Sequence, residues 1–128
     1  MRYHLDTDFL VFALSAAGPE RRRLTQLADS DAVLQMSALA WYELSRGPRT
    51  PEQLSIARSF FFDDGIIPFS EELAAIAGEV FRSIGSPRRR AADVAIGITA
   101  AAMGATLLTR NSNDFAGIPH LQVEGVDG

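Results

Sequence analysis

Short apolar runs and longer amphipathic stretches alternate along this chain, punctuated by Asp-Thr-Asp, Gly-Pro and Gly-Ser-Pro breaks. From Arg2 to Asp6, Tyr3 and Leu5 alternate against His4, which predicts a first strand that Asp6-Thr7-Asp8 interrupts. Phe9 to Ala17 is apolar almost all round, so a helix there must be buried on most of its surface or covered by a partner. After Gly18-Pro19, a helix from about Glu20 to Ala28 turns Leu24 and Leu27 toward the core. Its opening residues Arg21, Arg22 and Arg23 oppose the helix dipole, and read either as a solvated face or as contacts to an external anion or acidic partner.

Ala32 to Met36 predicts a second strand, and Ser37 an N-cap for a helix from Ala38 to about Arg46. Thr50-Pro51-Glu52-Gln53 carries a capping-box pattern that opens a helix to about Phe62. The rings of Phe60, Phe61 and Phe62 cannot share one stripe: either they pack around the helix end or one serves an interface. A strand from Ile66 to Phe69 leads to Ser70, which caps a helix to Ile84 with Leu73, Ala77, Val80, Phe81 and Ile84 on one face. A further helix spans about Arg90 to Met103, ended by Gly104, and Ala105 to Thr109 suits a strand buried on both faces. A last strand fits within Ile118 to Val123, with an acidic end from Glu124 that frays. Alternating strands and helices predict an α/β fold, a short, mostly parallel sheet flanked by helices, in a single domain over residues 1–128.

Composition narrows the function classes. At 47% hydrophobic and 22% charged, the chain matches an ordinary soluble globular domain. The absence of cysteine excludes disulfides and thiolate metal sites, and suits a reducing cytoplasm. Asp6 arrives before any signal-like apolar run, and the longest uncharged stretch, Val94 to Thr109, is too short to span a bilayer, so neither export nor membrane insertion is expected. A net charge of −4 argues against a generic nucleic-acid coat. All twelve basic residues are arginine, which removes mechanisms needing a Schiff-base or phosphate-gripping lysine.

Chemistry enters with the acids. Asp93 falls in the first turn of its helix on the face of Ile96, Gly97 and Ala100, which points it inward. Asp114 follows the strand ending at Thr109, and ligands of open α/β sheets bind beyond strand carboxyl ends. Asp6 ends the first strand, and Glu43 lies among Trp41, Tyr42 and Leu44, where an acid is costly unless exposed, paired or coordinating. Each acid taken singly could be a cap or turn residue. Together at one sheet edge they would repel, which divalent cations relieve; oxygen ligands suit Mg²⁺ or Mn²⁺, and the expected chemistry is phosphodiester hydrolysis.

Asp6-Thr7-Asp8 after a first strand, Glu43 in a helix, Asp93-Val-Ala-Ile-Gly-Ile-Thr-Ala, Leu108-Thr109-Arg110-Asn111 and Asp114-Phe115 strongly resemble the PIN-domain ribonucleases, above all the VapC-type toxins of bacterial toxin–antitoxin pairs. The resemblance covers essentially the whole chain. It implies a PIN-like three-layer sandwich and a Mg²⁺- or Mn²⁺-dependent endoribonuclease, cytoplasmic, usually a homodimer, held inactive by a cognate antitoxin protein. Asp6, Glu43, Asp93 and Asp114 match the family's metal-binding catalytic acids, and Thr109 its positioning hydroxyl. Thr7 and Asn111 are expected to support the site. Two departures stand out: Asp8 replaces a usual Asn or Ser and either adds a carboxylate or caps the first helix, and Asn111 replaces a frequent acid. Arg88, Arg89, Arg90 and Arg110 are candidate contacts to RNA phosphates, which give affinity without base specificity.

Rival readings weigh less. Asp-x-Asp after a strand also suits an aspartate-nucleophile phosphatase of the haloacid-dehalogenase type, but Leu10 stands where that family has Thr or Val, and lysine is absent. A housekeeping RNA-processing nuclease and a non-catalytic binding module docking through Phe9 to Ala17 are the remaining alternatives.

Overall fold

The computed structural model describes residues 1–126. Its strands are β1 (Arg2–Leu5), β2 (Val33–Ser37), β3 (Ile66–Ile67), β4 (Thr106–Thr109) and β5 (Gln122–Gly125), and its helices α1 (Thr7–Ser15), α2 (Pro19–Ala28), α3 (Ala38–Ser45), α4 (Pro51–Arg58), α5 (Glu71–Ser83) and α6 (Ala91–Ala102). The strands form one sheet in the order β3-β2-β1-β4-β5 with every pairing parallel, and the helices flank it as an α/β sandwich. Among the described residues no helix is long and apolar enough to cross a membrane.

Strand order decides where chemistry can sit. From β1 the chain moves through β2 to β3 on one side, then returns to lay β4 and β5 on the other. The order therefore reverses between β1 and β4, and a parallel sheet leaves a crevice outside the carboxyl ends of its strands at such a switch point. Leu5 pairs with Leu108 there, and Asp6 N–H donates to the Leu108 carbonyl at 3.0 Å. Leu5, Met36, Leu107 and Leu108 are all buried, as continuous apolar strands covered on both faces require.

Helix α6 buries every residue from Val94 to Ala100. Gly97 makes that possible, because a Cβ there would come within 2.6 Å of Ile118 Cδ1 and 3.1 Å of Leu121 Cδ2. The helix thus packs closely on the segment that leads from β4 to β5. Gly104 follows its C-cap at φ +64°, the left-handed conformation that ends helices.

Several element ends differ from expectation for identifiable reasons. Helix α1 begins at Thr7, with Asp6 as its N-cap accepting from Thr7 N–H, so the acid that stops β1 also starts α1 and Asp8 is a first-turn residue rather than the cap. Helix α4 stops at Arg58, not Phe62, because the Arg58 guanidinium donates to the carbonyls of Phe61, Phe62 and Asp63 and holds a turn. Phe61 is buried, Phe60 half-buried and Phe62 67% exposed, so one ring of the three does face outward. Strand β3 is cut to two residues before Pro68, which lacks a donor for the ladder. Glu124 does not fray: it lies in β5 and pairs with Arg23 at 2.7 Å. Asp127 and Gly128, the rest of the expected acidic end, lie outside the described residues. Arg21 is exposed, as a solvated face requires, and also donates to the carbonyls of Ala13 and Leu14 at the end of α1.

Candidate active site

Four elements bring the four expected acids to one cavity of about 360 Å³: Asp6 from the end of β1, Glu43 from α3, Asp93 from the first turn of α6, and Asp114 from the 3-10 turn Ser112–Phe115 beyond β4. Thr7, Asp8 and Asn111 line the same cavity. Parallel topology explains the convergence, since α6 runs back against the strands and so starts at their carboxyl edge. Hydrogen bonds fix the donors. Thr109, fully buried, donates to Asp6 Oδ2 at 2.8 Å while its oxygen accepts from Asn111 N–H at 3.0 Å. Thr7 Oγ1 lies 3.0 Å from Glu43 Oε1 and 3.2 Å from the Ala40 carbonyl, tying α1 to α3.

The acids are held against their own charge. Burial pushes the Asp6 carboxyl up to about 6; the bonds from Thr109 and Thr7 pull the other way, and the nearby Asp8 and Glu43 push further up. Asp93 rises to about 7, first through burial and then through Asp6, Asp114 and Glu43, with Arg90 opposing. The helix dipole favours charge at its first turn, yet burial and like charges outweigh it. Among the described residues, no three acids or histidines stand close enough to hold an ion by direct contact alone. An oxygen-only donor set around a cavity of this size fits a small hard cation that keeps part of its water shell.

The expected phosphate contacts divide. Arg88 and Arg89 are exposed in the 3-10 turn Arg88–Arg90 that precedes α6. Arg90 instead donates to the carbonyls of Asp114, at 2.7 Å, and Ala116, and thereby clamps the turn that carries Asp114. Arg110 stacks 3.5 Å from the Phe12 ring centroid and pairs with the buried Glu20 at 3.4 Å. Neither of these last two lines the cavity. Arg46 and Arg49, absent from the sequence-based expectation, do. Arg46 follows Glu43 by three residues, the spacing that shares a helical face, and that was the available signal.

The PIN domain family model matches residues 3–121. No curated protein matches the chain. Among solved structures, VapBC2 from Rickettsia felis bound to a DNA fragment from its promoter is similar at 25% identity, with 98% of each chain covered and a TM-score of 0.74. A toxin–antitoxin complex from Klebsiella pneumoniae gives 25% identity, 97% of each chain and 0.74. FitAcB from Neisseria gonorrhoeae, at 22% identity over 97% of each chain and a TM-score of 0.73, is alike in fold. With the family's model spanning four of the five strands and all four acids, the chain belongs to the PIN domain family.

Proposed function

We propose that this PIN domain is a Mg²⁺- or Mn²⁺-dependent endoribonuclease acting as the toxin of a toxin–antitoxin pair. The observation that carries the reading is the meeting of Asp6, Glu43, Asp93 and Asp114 in one cavity at the sheet's switch point, with the Asp6 and Asp93 carboxyls both raised by burial and by neighbouring carboxylates. Such an arrangement destabilises its own ionised state unless a cation shares the cavity. Asp6 and Asp93 would hold the principal cation, and Glu43 and Asp114 would complete its surroundings directly or through water. When bound, a divalent cation supplies Lewis acidity toward water and phosphate oxygens.

The chain's own residues supply the positioning. Thr109 fixes the Asp6 carboxylate and Thr7 the Glu43 carboxylate, so each presents a set oxygen to the cavity. The Asn111 side chain offers an amide to water or phosphate without adding charge, and Asp8 adds a peripheral carboxylate. Arg88 and Arg89, exposed beside the start of α6, would meet backbone phosphates farther along an RNA.

The toxin assignment draws on solved structures alike over nearly the full chain, one of which, at 25% identity, is a toxin–antitoxin complex by name. A cognate antitoxin as partner, a homodimeric toxin and a cytoplasmic site of action belong to the same reading. The test is cleavage of a structured RNA pool with Mg²⁺, with Mn²⁺ and with EDTA, beside Asp93→Ala. Cleavage that needs both metal and Asp93 is the expected result. Cleavage that survives EDTA, or no cleavage together with no metal binding by calorimetry, would overturn it.

A further inference from the structure

We propose that Arg46 and Arg49, on the turn between α3 and α4, form a two-arginine clamp that grips an RNA backbone phosphate against the acidic cavity. The inference rests on the nuclease reading above and deepens it by naming the residues that hold the substrate at the site.

Three observations carry it. First, among the described residues these are the two arginines that line the cavity, together with Glu43. A polyanion entering an acid-lined cavity needs local positive charge there, because the acids repel phosphate until a cation neutralises them. Second, neither guanidinium is spent on a carboxylate: the ion pairs among the described residues are Arg23–Glu124 and Arg110–Glu20. Arg46 lies over the Tyr42 ring at 5.5 Å, which restrains it without neutralising it. Arg49 Nη1 donates to the Leu44 carbonyl at 2.9 Å, one of five donors on a guanidinium, which leaves the others for a ligand.

Third, the turn is built to let Arg49 reach that place. Gly47 N–H donates to the Leu44 carbonyl, Arg49 N–H donates to the Gly47 carbonyl at 2.8 Å, and the guanidinium then folds back across Gly47. A Cβ on Gly47 would overlap Arg49 Nη1 and stand 3.1 Å from Cζ. Here the glycine serves the arginine's path rather than a special backbone angle. Two planar forks at one cavity match the bidentate geometry of phosphate oxygens.

The experiment measures affinity for a fluorescein-labelled single-stranded RNA of mixed sequence, by anisotropy at several salt concentrations. It uses the full chain in an Asp93→Asn background that blocks cleavage. Arg46→Ala and Arg49→Ala are each expected to weaken binding roughly tenfold, as loss of a charge-assisted hydrogen bond does. Each should also lower the salt slope by about 0.7, the value per phosphate contact on a single strand. Gly47→Ala keeps every charge but pushes the Arg49 guanidinium off the Leu44 carbonyl; because that group ends a flexible side chain, the loss should be smaller than for Arg49→Ala, with the fold intact by circular dichroism. Arg22→Ala, which removes an exposed arginine away from the cavity, is the charge-matched control. If Arg46→Ala and Arg49→Ala bind as the Arg22→Ala control does, the clamp is wrong even though wild-type protein cleaves RNA. If the Asp93→Asn protein with all its arginines fails to bind RNA and wild type fails to cleave it, the nuclease reading falls and the clamp with it.

Discussion

Replacing Asp6 by asparagine in the metal-free protein is expected to stabilise the fold at alkaline pH and destabilise it slightly at acid pH, so that the two stability curves cross. Asp6 is 7% exposed and titrates near 6 instead of its ordinary 3.8, a rise of about 2 units. For a carboxyl whose folded pKa is raised, the stabilising contribution is complete below the unfolded value and is lost as pH climbs through the folded one. Wild-type stability should therefore fall between about pH 4 and pH 6 by about 3 kcal/mol on account of this residue. Asparagine removes that slope. It caps α1 as well as aspartate does. It has one acceptor oxygen where the carboxylate uses two, for Thr7 N–H and for Thr109, so about 1 kcal/mol is lost in rearranging one bond.

The net expectation is a gain of about 2 kcal/mol at pH 8 and a loss of about 1 kcal/mol at pH 4. Urea unfolding in EDTA across that range measures both. Because Asp6 helps raise Asp93, the Asp93 carboxyl should also titrate lower in the variant, which NMR of the carboxyl carbon would follow. A difference between the two proteins that stays constant with pH, or an Asp6→Asn protein less stable at pH 8, would refute the claim that Asp6 is held ionised against burial. RNA cleavage should be abolished in either case.

Thr109→Val removes the hydroxyl that joins Asp6 to Asn111 N–H, and should cost about 2 kcal/mol at pH 8 by urea unfolding. Gly97→Val drives a branched side chain into Ile118 and Leu121; thermal unfolding should show a loss above about 2 kcal/mol. Arg90→Ala frees the Asp114 and Ala116 carbonyls, and is expected to lower cleavage about tenfold with little change in melting temperature, as one or two positioning bonds are worth. Calorimetric Mn²⁺ affinity should fall as pH drops from 8 to 6, because Asp93, raised to about 7, and Asp6, raised to about 6, must release protons to bind; an affinity flat over that range would contradict their placement.

The parallel sheet and part of the acid cluster were legible in the sequence because both follow from local rules. Short apolar runs such as Thr106 to Thr109 can be buried on both faces only in a helix-covered sheet, and Asp6 ending β1 and Asp93 opening α6 fall at that sheet's carboxyl edge by position alone, whereas Glu43 within α3 and Asp114 in a turn do not follow from that rule. Even the tight packing of α6 left a trace in Gly97. What stayed hidden were pairings between distant residues. Glu124 reads as part of a loose acidic tail until β5 places it beside Arg23, 101 residues away. Helix α4 carried an intact capping box, and Gln53 closes it as expected, but nothing local shows that Arg58 ends the helix by turning on the carbonyls of Phe61, Phe62 and Asp63.

The arginines make the same point more sharply, and show what an all-arginine basic set does in an acidic domain. Charge and position in the chain single out the runs Arg21 to Arg23 and Arg88 to Arg90, yet three of those six are occupied inside the molecule: Arg21 on α1 carbonyls, Arg23 on Glu124, and Arg90 on the turn that carries Asp114. Arg110 is occupied as well, stacked on Phe12 and paired with Glu20, whose second oxygen is buried without a partner. Guanidinium forks suit these tasks because one group can serve two carbonyls or a carboxylate and a ring at once. Isolated Arg46 and Arg49 are the ones that line the cavity with the acids. Half of the arginines in those runs are thus spent within the molecule, and the guanidinium donors at the cavity itself come from Arg46 and Arg49.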